Sequence, residues 1–182
     1  MKKYITPIIV ILSILAVFLR LLPHMPNFAP IGALALFIGL YSMRKSWSLI
    51  PLASMFVSDI FIGFYDFKIM AVVYLSFLAY AAIGRMVRNN KSFLTVVSGT
   101  FSAALLFYLT TNFAVWSFGS WYPHTFSGLT SSYEMALPFF RNSLLGDLFY
   151  IGIFAGSYEL AIKTFPIFLQ KTRSILYVRS VI

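Results

Sequence analysis

The sequence predicts an all-α integral membrane bundle of about six transmembrane helices, on three observations. Of its 182 residues, 60% are hydrophobic and 10% charged, a balance outside the range of soluble globular domains. The apolar residues gather into six runs. The basic residues fall between those runs in an alternating pattern, as topology signals do. The length suits one domain, residues 1–182.

A span needs roughly 20 mostly apolar residues, because a helix rises about 1.5 Å per residue and the hydrocarbon core is about 30 Å thick. The first run, Ile5 to Leu22, starts like a signal peptide. It is long, lacks an Ala-x-Ala-like site and carries Arg20 near its end, so it is read as an uncleaved first helix. The second, Phe28 to Met43, is short, with Pro23 and Pro26 before it and Pro30 near its start. Proline breaks or kinks helices, so an irregular lead-in is expected. The others are Trp47 to Phe64, Ile69 to Gly84, Phe93 to Phe118 and Phe139 to Phe165. Residues 119–138, free of Lys and Arg, are expected to form an outer loop or a short interfacial lid helix. The basic, partly apolar tail, about 166–182, suits the anionic inner leaflet.

Six spans put both termini on one side. Of the fourteen Lys and Arg residues, Arg20, Lys68 and Arg141 fall opposite the termini, leaving eleven on the terminus side. Loops rich in Lys and Arg stay cytoplasmic, so the expected topology is N-in, C-in. Asp59, Asp66, Glu134, Asp147, His24 and His124 then lie in or near the outer half. Glu159 is the exception, four residues before Lys163 and placed for a helix-surface pair.

The net charge of +9 is explained by those loops without a nucleic-acid surface. The chain has no Cys, which closes disulfide, thiolate-metal and cysteine-nucleophile chemistry. No nucleophile elbow, H-E-x-x-H or phosphate-cradling P-loop is present, so no enzyme activity or cofactor is expected. His24 and His124 lack ligand spacing, and no metal is expected.

The run Thr111 to Tyr150 carries the polar groups a small-molecule site needs: Asn112, Trp116, Trp121, His124, Arg141, Asn142 and Asp147. Tyr108, Asn112 and Trp116 recur every four residues and share one helix face, as do Ser143, Asp147 and Tyr150. An amide in hydrocarbon must be bonded, so the first face looks inward, either as a binding wall or as an interhelical contact. Ionisable residues within spans mark a site or an internal pair. Asp59 and Asp147 qualify, and Arg20 is a partner for either.

The segments RLLPHMPNFAPIGALALFIG (Arg20 to Gly39), SDIFIGF (Ser58 to Phe64), TNFAVW (Thr111 to Trp116) and YEMALPFFRNSLLGDLFY (Tyr133 to Tyr150) together resemble a family of small bacterial membrane proteins of unknown function. That family looks related to the S-components of energy-coupling factor (ECF) vitamin transporters. The resemblance implies a six-helix, S-component-like bundle in a bacterial inner membrane, with a ligand site opening outward beneath its loops. It points to Arg20, Asn27, Asp59, Asn112, Trp116, Arg141, Asn142 and Asp147, and to an ECF-type transmembrane coupling subunit with ATPases as partner. S-components dock that subunit through Ala-x-x-x-Ala in the first helix. Ile5 to Leu22 has none, whereas Ala29 and Ala33 supply the spacing at the start of the second run.

The expected function is uptake of a vitamin-like or other small metabolite bound within the membrane, without catalysis. The alternative is a proton-coupled secondary transporter using Asp59 or Asp147. An intramembrane enzyme and an assembly subunit are the further classes.

Overall fold

The computed structural model describes residues 5–164, with the first and last helices running on to Lys2 and Ser180. Its six helices are α1 (Lys2–Leu21), α2 (Ile31–Tyr41), α3 (Ile50–Ile62), α4 (Phe67–Val87), α5 (Phe93–Phe118) and α6 (Phe126–Ser180). A single 3-10 turn, Lys45–Leu49, leads into α3, and the described residues contain no strand. Phe67–Val87, Phe93–Phe118 and Phe126–Thr164 are long and apolar enough to cross a membrane. The tail expected at about 166–182 lies outside the described residues.

Local chemistry explains the boundaries. Ser92 caps α5, its hydroxyl accepting from the Thr95 N–H, and Gly119 ends that helix. Asp66, grouped by sequence with the outer-half polar residues, is the N-cap of α4 and accepts from the N–H groups of Lys68 (2.9 Å) and Ile69 (3.1 Å). A carboxylate there satisfies amides that the helix itself leaves unbonded. The irregular lead-in expected from the three prolines is present: residues 22–30 are non-helical, and Asn27 adopts φ +62°.

Helix α6 corrects one expectation. The lid expected over residues 119–138 is largely the beginning of α6, which passes through Pro138 without a break. Only residues 119–125 form a strap between α5 and α6. The strap and the helix start are held down by polar bonds onto α5. Tyr108 donates to the Tyr133 carbonyl (2.8 Å), Tyr133 to the Leu109 carbonyl (2.9 Å) and Trp116 to the Pro123 carbonyl (3.0 Å).

The centre of the bundle is α2. Every residue from Ile31 to Leu40 is buried, and the helix packs chiefly on α4 and α6 while touching α1, α3 and α5. A helix apolar all round belongs in a core. At 11 residues it is roughly 16 Å long, and both its ends are buried within the bundle, with Ile31 1% and Leu40 2% exposed. Unbonded backbone groups there would be costly, and other helices supply the caps. The Asp147 carboxylate of α6 lies beside the Ala33 amide at the N-terminus. At the C-terminus, Arg88 of α4 donates to the carbonyls of Gly39 (2.9 Å) and Ser42 (2.6 Å). Each charge also has the sign that the helix dipole favours.

Small residues recur four apart at Ala29 and Ala33, Ala35 and Gly39, Gly99 and Ala103, and Gly152 and Gly156, and the first three pairs pack inside. Ala33, Ala35 and Ala103 are fully buried and Gly39 and Gly99 are buried, whereas Gly152 and Gly156 face open space. Ala33 is sealed in the core and Ala29 lines a cavity, so that Ala-x-x-x-Ala pair sits within the bundle. Glu159 lines a cleft at the opposite end with Tyr41 and Lys91, and makes no salt bridge to Lys163 among the described residues.

Candidate functional site

A cavity of about 450 Å³ opens among the helices at the end of the bundle that carries residues 22–30, 63–66 and 119–125. Its walls are helical stripes. On α5 they are Ala104, Tyr108, Thr111 and Val115, and on α6 Ser132, Ala136, Phe139, Ser143 and Asp147. Spacings of three and four residues keep such a stripe on one face. Phe77 and Tyr80 of α4 face Phe107 of α5, with ring centroids 5.4 Å apart for Phe77 and 6.3 Å for Tyr80. Ile31 and Gly32 bring the start of α2 to the wall, and Trp121 and Tyr122 of the strap form the rim. Trp121 is 82% exposed, an aromatic placed at the mouth.

The charged groups fall into two separate poles. In the first, Arg20 Nη1 lies 2.7 Å from Asp59 Oδ1. The same nitrogen also donates to the Met55 carbonyl (3.3 Å) and the Ser58 hydroxyl. Tyr74 donates to Asp59 Oδ2 at 2.7 Å. Asp59 is 1% exposed and stands behind Arg20, outside the cavity lining. Tyr65, between α3 and α4, lines the cavity at this pole. Burial and the nearby Asp59 carboxylate push its hydroxyl up to about 12, so it stays protonated at neutral pH and can donate a hydrogen bond.

In the second pole Tyr80 donates to Asp147 Oδ2 at 2.6 Å, and Asp147 is buried. Gly32 makes this fit possible: a Cβ there would strike the Asp147 carboxylate and lie 2.9 Å from the Tyr80 ring. Tyr74 and Tyr80 are six residues apart on α4, so the poles are separated by about 9 Å of helix rise. The choice that the sequence left open for Arg20 is therefore resolved. Arg20 pairs with Asp59, and Asp147 pairs with a tyrosine and the start of α2.

Of the residues the sequence singled out, Arg20, Asn27, Tyr108, Asn112, Trp121 and Asp147 line the cavity, and Asp59 braces it from behind. Trp116, His124, Arg141, Asn142 and Tyr150 do not line it. Trp116 stacks edge-on against His124, centroids 5.8 Å apart. Asn142 donates to the Pro26 carbonyl (3.0 Å), Arg141 is exposed, and Tyr150 packs on Phe28 and Phe154. For Trp116 the reason is helical drift. Each step of four residues advances about 40° around the axis, so Trp116 stands roughly 80° from Tyr108. Asn112 itself donates to the Tyr108 carbonyl of its own helix at 2.8 Å, leaving its side-chain oxygen for the cavity.

Sequence reasoning did not single out Tyr80, Phe77, Phe107, Tyr65 or Gly32. The four-residue repeat Ile69, Val73, Phe77 on α4 was legible, but it does not differ from ordinary core periodicity. No group of three or more His, Asp or Glu able to hold a metal comes together among the described residues.

A family model described as "Family of unknown function (DUF6580)" matches residues 2–168. No curated protein and no solved structure matches the chain.

Proposed function

The chain belongs to this family of unknown function, and from that premise we propose that it is a membrane-embedded binding protein for a small, vitamin-like metabolite, acting in uptake without catalysis. The observation that carries the reading is the cavity of about 450 Å³, walled by aromatic side chains with few polar groups set among them. Small-molecule sites take this form and volume, and lie between the helices of bundles. The resemblance to ECF S-components accords with six helices and a cavity beneath loops.

The positive-inside pattern supports N-in, C-in insertion, and that orientation turns the cavity mouth outward. A bacterial inner membrane, crossed several times, is the setting this reading requires. Capture occurs from outside past Trp121 and Tyr122, and release follows reorientation of the bundle, with an ECF-type coupling subunit and its ATPases as the partner the resemblance suggests.

Purified protein is expected to carry a small molecule at close to one copy per chain, identified by mass spectrometry after denaturation. Ala136→Phe, which projects a ring into the cavity, should empty it. Protein that comes out empty and whose melting no compound of a vitamin panel shifts would remove the proposal. Reporter fusions test the orientation independently. Those at Lys45 and Lys91 should read cytoplasmic and one at Ser120 external; a cytoplasmic Ser120 would point the mouth inward and end the uptake reading.

A further inference from the structure

We propose that the cavity's ligand is a one- or two-ring monocarboxylate whose carboxylate seats on Arg20. This rests on reading the cavity as a ligand site, and it follows from how that arginine is held. Among the described residues Nη1 alone is engaged: it donates to the Ser58 hydroxyl and the Met55 carbonyl and pairs as an ion with Asp59. Nε and Nη2 have no protein partner, and neither is a sealed, unsatisfied atom as Arg88 Nε is. These two nitrogens carry parallel N–H bonds along one edge of the guanidinium, the edge that receives both oxygens of a carboxylate.

Asp59 explains why such a group is present in hydrocarbon at all. An unpaired guanidinium there would be costly, and Asp59 balances it while fixing its plane from the far side. Tyr74 fixes Asp59 in turn. The free edge is therefore held in place before any ligand arrives, which lowers the ordering cost of binding.

The rest of the wall sets the body and the charge of the ligand. Among the described residues, Arg20 is the one basic residue lining the cavity and Asp147 the one acidic residue. A second anionic group would find no cation, and about 9 Å deeper along α4 it would meet the Asp147 carboxylate. A cationic group at the mouth would meet Arg20, because Asp59 stands out of reach behind it, and the deeper Asp147 carboxylate is already engaged by the Tyr80 hydroxyl. Between the poles, Phe77, Phe107, Tyr108 and Phe140 present ring faces and edges, which favour a flat aromatic body over a flexible chain.

Calorimetric titration in lipid nanodiscs, with empty discs subtracted, tests this. The probes are 2-naphthoate, its primary amide 2-naphthamide, the amine 2-naphthylmethylamine and the chain carboxylate decanoate. The naphthoate should saturate at one site. The amide and the amine should bind about 10- to 100-fold more weakly, the range of a lost charge-assisted contact, and decanoate, which keeps the carboxylate, should bind more weakly for want of ring contacts. Arg20→Met with Asp59→Asn removes both charges together, so a folding failure of either single variant does not obscure the result. That double variant should lose the preference for naphthoate over naphthamide.

Amide or amine binding as tight as naphthoate, or a preference that survives in the double variant, overturns the carboxylate assignment and leaves the binding function standing. Equal binding of decanoate overturns the ring body. No binding in any arm, with a co-purified molecule still present, overturns this inference alone; no binding and no co-purified molecule removes the proposed function as well.

Discussion

Arg20→Met is expected to destabilise the folded bundle by about 3–5 kcal/mol, the usual effect of removing one member of a buried charge pair. Asp59 is 1% exposed, and its Oδ1 has no aligned hydrogen-bond donor; the ion pair with Arg20 at 2.7 Å is what balances it. Removing the guanidinium leaves a carboxylate in a low-dielectric interior with only the Tyr74 hydroxyl for support. Asp59→Asn alone should cost less. Arg20 is 14% exposed and lines the cavity, so water reaches the charge left behind.

The double variant Arg20→Met/Asp59→Asn should return to within about 1–2 kcal/mol of the parent, because neither charge then needs compensation. Denaturant unfolding in detergent, arranged as a double-mutant cycle, measures the coupling. Additive effects of the two single changes would mean that the pair is solvated and does not brace the cavity. The same cycle shows whether Ser58 and the Met55 carbonyl hold Arg20 without its carboxylate.

Gly39→Ala is expected to cost about 1–3 kcal/mol or more, a large effect for one methyl group. The crossing of α2 and α4 is a backbone-to-backbone contact. A Cβ on Gly39 would strike the Ala81 carbonyl and lie 2.9 Å from the Gly84 Cα, and a Cβ on Gly84 would strike the Leu36 carbonyl. No rotamer relieves these contacts, because the obstructing atoms are backbone. The helices must part, and α2 carries Ile31 and Gly32 on the cavity wall. Ligand binding should therefore fall along with stability.

Gly152→Ala is the control, since nothing lies within 4 Å of a Cβ added there. It should leave stability within about 0.5 kcal/mol, or raise it slightly through helix propensity. Equal effects at Gly39 and Gly152 would show that the crossing is looser than described. A loss of binding in Gly39→Ala at unchanged stability would instead make α2 a mover of the cavity wall.

Much of the architecture was legible because it answers to local rules. The apolar run Phe93 to Phe118 became α5 with the same bounds, its ends set by Ser92 and Gly119. The prolines before α2 forecast its irregular lead-in, and the spacing of Ser143 and Asp147 placed both on the cavity stripe of α6. The last apolar run was placed from Phe139, whereas α6 begins at Phe126 and runs through Pro138. Proline lacks a donor, but a helix that packs along a neighbour can carry one when its freed groups find other partners. Trp116 was misplaced because a four-residue repeat drifts around the helix, and its indole bonds the Pro123 carbonyl instead of facing the cavity.

By itself the sequence determined that the chain is helical and apolar, roughly where its helices run, and which few polar residues require an internal partner. Bilayer thickness, helix pitch and the cost of an unbonded polar group act on each segment separately, so they can be read segment by segment. The tertiary structure alone decided who partners whom. It set Arg20 against Asp59, 39 positions away along the chain, and Asp147 against Tyr80, 67 positions away. It also drew Asp147 and Arg88 to opposite ends of α2. Such choices depend on which helix faces meet, and α2 and α4 meet where Gly39 and Gly84 let two backbones touch.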